Sequence, residues 1–216
     1  MPQPTDFQTI LPLTILIAWA CVLLLVDLFI PKTQKWLTAV LAAAGLALAL
    51  GFTIAQMGRP ASDAFSGMVV QDGFSTFLNA LQLLCGILGI AIAYGYIKRM
   101  GLERGEYYTL LLFSVTGMML MVQANDLIVV FLALELLSIP LYVLAAFNRT
   151  QAASEESGLK YFLLGAFSTG FVVYGIALVF GATGTTNLAS IFASTPTSGV
   201  LLTIGAALIL VGFAFK

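Results

Sequence analysis

Histidine is absent from this 216-residue chain. That single absence excludes His-ligated haem, HExxH zinc sites and Ser-His-Asp triads. Cysteine is almost absent. Cys21 and Cys85 lie in separate apolar runs with no CxxC spacing, so neither a disulfide framework nor an iron–sulfur ligand set is encoded. Both are expected as packing residues. Charge is scarce as well. Charged residues make up 9% of the chain, the net charge is −1 and no basic tract occurs, which removes nucleic acid from the field of partners. No Lys or Arg precedes the first apolar run, so no cleaved signal peptide is expected.

What fills the chain instead is apolar. Hydrophobic residues account for 60% of it, and the mean hydropathy is +1.03. A soluble domain carries about 45–50% apolar and about 25% charged residues. The apolar stretches are continuous runs of about 20 residues, without the ~10-residue alternation of outer-membrane strands. The composition therefore predicts an all-α polytopic membrane protein. Seven spans can be counted, at roughly 9–30, 36–56, 74–97, 106–124, 126–147, 159–182 and 199–216, each near the ~20 residues that cross the hydrocarbon. Backbone groups cannot go unsatisfied in lipid, so each is expected to be helical.

The loops orient the bundle. Lys32, Lys35, Lys98, Arg99, Arg104 and Arg149 fall in the first, third and fifth connections, whereas the others hold only Arg59. Excess Lys and Arg marks the cytoplasmic side, so the N-terminus is expected outside. Trp36, Tyr107 and Tyr108 stand at span ends, where interfacial anchors are found. The fourth connection, "QAND", is tight enough to make an antiparallel hairpin, and Asp126 is placed to cap the span after it. Small residues crowd the second span and recur at Gly89/Ala93 and at Gly165, Ala166, Thr169 and Gly170, a spacing that lets helices approach closely. Residues 62–77 and 187–194 are only semi-apolar and are expected along the outer interface. The chain stops at Lys216, directly after an apolar run, which reads as the first part of a longer protein.

Four ionisable residues stand in or at the ends of spans. Asp27 is near the end of its span, close to Lys32, and reads as an interfacial residue. Glu135 lies in the middle of "FLALELLSIP", where a charge costs about 3 kcal/mol on insertion scales. Intramembrane carboxylates are usually functional; the alternative is a protonated, structural glutamate. Burial favours the neutral form and a nearby cation the ionised form. A group held between these pulls can change protonation when its partner moves. Pro140 removes an amide and crowds the carbonyl of Leu136, leaving an acceptor for water or for Ser138. Lys160 opens the sixth span and can snorkel to the interface. Lys216 is either an interfacial anchor or, if its helix continues, an intramembrane charge.

The segments "EYYTLLLFSVTGMMLMVQANDLIVVFLALELLSIPLYVLAAF" (106–147) and "GLKYFLLGAFSTGFVVYGIALVFGATGTTNLASI" (158–191) resemble the subunit N family of NADH-quinone oxidoreductases, respiratory complex I. The same family includes subunit 2 of the mitochondrial complex and its counterpart in the photosynthetic version. The resemblance is strong from 104 to 216, and the first 70 residues match only in hydropathy. It implies an antiporter-like fold of about 14 helices in two inverted repeats, each forming a half-channel for protons. The helix-five glutamate, the lysine of a broken helix seven and a helix-six lysine of that family correspond to Glu135, Lys216 and Lys160. On this basis residues 1–105 hold helices one to three, and 106–216 hold helices four to seven of an incomplete first repeat.

The function implied is proton translocation coupled to quinone reduction, in a non-redox subunit of a translocase. The chain itself would carry no cofactor; quinone and NADH, or ferredoxin, would be used by the whole complex. Partners implied are the neighbouring antiporter-like subunit M, small subunits such as K, and the lipid bilayer of the bacterial inner membrane. The alternative is a subunit of a monovalent cation/proton antiporter.

Overall fold

A computed structural model describes residues 4–31, 34–194 and 199–216. A helix stands at each of the seven expected spans: α2 (Leu11–Asp27), α3 (Trp36–Ala55), α4 (Gly73–Arg99), α5 (Glu106–Gln123), α6 (Leu127–Ala145), α7 (Ala152–Thr183) and α9 (Val200–Phe215). Two short helices, α1 (Pro4–Thr9) and α8 (Leu188–Ser194), complete the helical set among the described residues. By length and apolarity, α3, α4, α6 and α7 are each sufficient to cross a membrane, while α2 and α9 are shorter apolar helices. Helix α5 has 18 residues and more polar side chains. It can carry them because it is surrounded, packing against α2, α3, α4 and α6.

The core of the first bundle is aliphatic: Leu16, Leu46, Leu83, Leu112 and Met119 are fully enclosed where α2 to α5 meet. Close approach depends on glycine at particular points. A Cβ on Gly117 would collide with the Leu137 nitrogen, so α5 rests directly on the α6 backbone. Gly175 and Gly205 meet backbone to backbone where α9 packs along α7. Gly89 and Gly170, by contrast, have nothing within 4 Å. Their small-residue spacing marks no contact between described residues.

One end of the bundle is closed by polar chemistry. Residues Ser62–Ala64 (β1) and Val69–Gln71 (β2) form an antiparallel hairpin. Gly67, at φ +80, lies in its turn, where the left-handed backbone favours glycine. The Gly67 carbonyl accepts from the side chains of Asn125 (2.9 Å) and Asn187 (3.1 Å). Asp126 caps α6 through the Ile128 amide at 2.8 Å and accepts from Thr186 at 2.7 Å. Hairpin, α5–α6 turn and α7–α8 turn are thereby stitched together. The semi-apolar stretch 62–77 is thus this hairpin plus the first turn of α4, and 187–194 is the connection into α8 with α8 itself.

Several expectations are corrected. Tyr108 is buried in the core instead of anchoring at the interface; Trp36 is half exposed. Cys21 and Cys85 are exposed, not packed inside. Hydropathy cannot distinguish an inward from an outward face when both are apolar. Helix α7 begins at Ala152, seven residues before the expected start, because the polar stretch "AASEESG" is helical yet not apolar. Lys160 therefore lies within α7, not at its opening.

Candidate functional site

Glu135 sits near the midpoint of α6, and α9 brings Lys216 to it. The lysine Nζ stands 2.5 Å from Glu135 Oε1, with the side chains 7% (Lys216) and 22% (Glu135) exposed. This places Lys216 level with the α6 midpoint. The same ammonium reaches Ser138 Oγ at 3.4 Å. Glu135 and Ser138 share a face because residues three apart on a helix lie one above the other. Ser138 Oγ in turn donates to the Leu134 carbonyl at 2.6 Å. Ser138, one of the two partners expected for the Leu136 carbonyl freed by Pro140, is thus engaged elsewhere.

A third partner comes from α7. Thr169 Oγ1 donates to Glu135 Oε1 at 2.8 Å and also lies 3.0 Å from the Gly165 carbonyl. A hydroxyl has one hydrogen and two lone pairs, so it cannot serve both acceptors fully at once. With Glu135 ionised, the hydrogen favours the carboxylate. With Glu135 protonated, the threonine can accept from the acid and donate to Gly165 instead. The site thus contains a hydroxyl whose orientation follows the charge of the glutamate. The sequence marks Thr169 only as a small residue and Ser138 only as a neighbour of Pro140, because hydroxyl residues are common in membrane helices; their place beside Glu135 emerges only once the packing is known.

Helix α9 is held in register by α7. Ser168 Oγ donates to the Gly212 carbonyl at 2.6 Å, and a Cβ on Gly212 would collide with the Val172 side chain. These contacts sit one turn before Lys216 and fix how far α9 reaches toward α6.

Lys160 is not part of this assembly. It is exposed and pairs with Glu156 one turn earlier on α7, at 2.5 Å. Asp27 forms a separate pair with Lys35 Nζ at 2.8 Å and accepts from Thr38 at 2.7 Å. Lys32, its expected neighbour, lies outside the described residues. Among the described residues no three His, Cys, Asp or Glu side chains are grouped to hold a metal ion.

On the side that carries Arg104 and Arg149, a cavity of about 330 Å³ opens between α5, α6 and α7, with Tyr142 in its wall. A lysine, a carboxylate and two hydroxyls in one apolar interior can hold, lose and pass a proton. They offer no redox centre and no activated nucleophile.

Residues 124–216 match the family described as NADH:quinone oxidoreductase/Mrp antiporter, TM. The chain is 46% identical over 220 residues to NADH-quinone oxidoreductase subunit N of Chloroflexus aggregans, covering 99% of this chain and 45% of that one. It matches a chain of respiratory complex I from Thermus thermophilus with TM-score 0.75 and 34% identity, over 94% of this chain and 43% of the other. A chain of the Mrp complex from Dietzia matches with TM-score 0.79 at 19% identity, over 98% and 41%, a likeness of fold. The chain spans a little under half the length of the curated relatives it matches.

Proposed function

The chain belongs to the NADH-quinone oxidoreductase subunit N family, and from that premise we propose that it moves protons in the membrane arm of a complex I through the Glu135–Lys216 pair. The observation that carries the proposal is the ion pair itself, an ammonium and a carboxylate on different helices, 81 residues apart, meeting at mid-span. With Glu135 close, Lys216 holds its proton. When the carboxylate withdraws, the ammonium stands alone in an apolar surrounding, which favours the neutral amine, and the proton leaves. Thr169 turns with the charge of Glu135 and keeps the acid hydrogen-bonded in both states.

The driving event lies elsewhere. Quinone reduction, fed by NADH or ferredoxin in other subunits, alters the charges along the membrane arm, and the pair opens or tightens in response. This chain holds no cofactor and performs the pumping part only. Subunit M and small subunits such as K are its proposed neighbours. The Arg104 and Arg149 side is cytoplasmic and the N-terminus outside, in the bacterial inner membrane. Lys160, exposed and paired with Glu156, enters the proposal as a surface proton donor toward Lys216. The geometry assembled around Glu135 supports the glutamate and Lys216 more directly.

The test is Glu135→Gln in the intact complex, with proton uptake into sealed vesicles measured against NADH oxidation. Pumping is expected to fall by about tenfold or more, in the range set by losing a proton-transfer group. Undiminished pumping per electron sinks the proposal. A second reading, a subunit of a monovalent cation/proton antiporter, rests on the matched family embracing Mrp antiporters. Transport that requires sodium and proceeds without quinone-reducing subunits would favour it.

A further inference from the structure

We propose that Tyr142 is the inner gate of a proton-entry path that runs from the Arg104/Arg149 cavity to the Glu135–Lys216 pair. This rests on the proton-transfer reading above and adds a residue and a route to it. Tyr142 is 6% exposed, and among the described residues its phenol oxygen has no hydrogen-bond partner. A buried hydroxyl without a protein partner is the kind of group that ordered water serves. The ring is not free to seek another site. It is clamped edge-on by Tyr161 at 4.7 Å and by Phe162 at 5.9 Å between ring centroids.

Two features point the phenol toward the pair. Glu135, Ser138 and Tyr142 follow one another at spacings of three and four and share one face of α6. Across from them, Gly165 leaves room for the hydroxyl; a Cβ there would collide with the Tyr142 oxygen. The Gly165 carbonyl is the alternative acceptor of Thr169, whose other acceptor is Glu135. The tyrosine oxygen thus ends against Gly165, the residue whose carbonyl Thr169 can turn to. On its other side, Tyr142 walls the ~330 Å³ cavity with Arg104, Glu106, Leu110, Arg149 and Phe162.

The step is a relay. An excess proton carried by water in the cavity passes to the phenol oxygen, the phenol passes its own hydrogen to the next water toward Ser138, and the proton reloads Lys216 after it has been left as the neutral amine. The tyrosine ends as it began, so no oxidant or reductant is needed.

The experiment compares Tyr142→Phe, Gly165→Ala and Glu135→Gln in the intact complex in membrane vesicles. Proton pumping is measured in H2O and D2O and normalised to assembled complex on native gels. Tyr142→Phe keeps the ring and removes only the oxygen. It is expected to slow pumping by about threefold or more and to change the solvent isotope effect, which lost packing alone would not do. Gly165→Ala, which displaces the oxygen, is expected to act in the same direction, and it decides the matter if Tyr142→Phe fails to assemble. If Glu135→Gln is impaired while Tyr142→Phe, or Gly165→Ala in its place, pumps like the parent with the parent's isotope effect, the gate is overturned and the proton-transfer reading stands. If Glu135→Gln itself pumps normally, both fall.

Discussion

Asp27–Lys35 and Glu135–Lys216 are both sheltered carboxylate–ammonium pairs, but their surroundings differ. Asp27 and Lys35 are eight residues apart, on either side of the short connection between α2 and α3. The carboxylate has Lys35 on one oxygen and Thr38 on the other, and Lys35 also donates to the Asp27 backbone carbonyl at 3.0 Å. Gly105 leaves the space into which the carboxylate fits. Every charge-bearing atom of this pair has a fixed partner, so it ties the end of α2 to the start of α3. Glu135 and Lys216 come from helices that pack mainly on α5 and α7 instead of on each other. Both of the glutamate's donors meet one oxygen, Oε1. A pair whose charges share few other contacts can part at small cost; one tied by several bonds at two adjoining helix ends cannot. The contrast shows that burial and distance alone do not tell a structural ion pair from a switch. What distinguishes them is how many other contacts must break for the charges to part.

The largest effect should come from breaking the Asp27–Lys35 tie. Asp27→Ala strands Lys35 and is expected to destabilise the fold by about 3–5 kcal/mol. The assembled fraction on native gels would fall, with protons moved per electron unchanged in what assembles. A lowered ratio would erase the distinction between the pairs. Next, exchanging the partners as Glu135→Lys with Lys216→Glu keeps opposite charges together but moves the carboxylate away from Thr169. Pumping is expected to drop by about tenfold or more, while assembly survives better than in either single variant. Thr169→Val follows, removing one hydrogen bond onto the carboxylate at a cost of about 1–2 kcal/mol, seen as slower pumping without loss of assembled complex. Smallest is Lys160→Ala. An exposed i,i+4 pair contributes within about 0.5 kcal/mol, so thermal stability in detergent should not move. Undiminished pumping in that variant would take Lys160 out of the transfer path.

The spans were legible because crossing lipid leaves so few choices: a run of apolar residues must be helical. Glu135 was legible for the complementary reason, that nothing but function or a partner justifies its position. Asp126 announced its cap because a carboxylate before an apolar run satisfies free amides. The rest depended on facts that hydropathy does not encode. Which face of α2 carries Cys21, or that Tyr108 turns inward, follows from packing between surfaces that are apolar on all sides. The hairpin at 62–71 has strands too short to stand out. Lys216 acquires its depth only through α7, whose Ser168 and Gly175 set where α9 lies. The resemblance to subunit N supplied the pairing of Glu135 with Lys216. The geometry added Thr169, Ser138 and the cavity beside Tyr142.

The contact at Gly117 has a mechanical consequence. Proline at 140 weakens α6 one turn beyond Glu135, but the backbone at Leu136 and Leu137 is pressed against α5 with no side chain between them. The half of α6 bearing the glutamate is therefore like the leaf of a hinge screwed to its frame. The other half, from Pro140 through Tyr142 to Ala145, is backed by α7 instead, where Ser154 donates to the Ala145 carbonyl at 2.9 Å and Gly158 lies against Ala146. Parting of the pair thus falls to the two side chains, with the helices as their fixed posts.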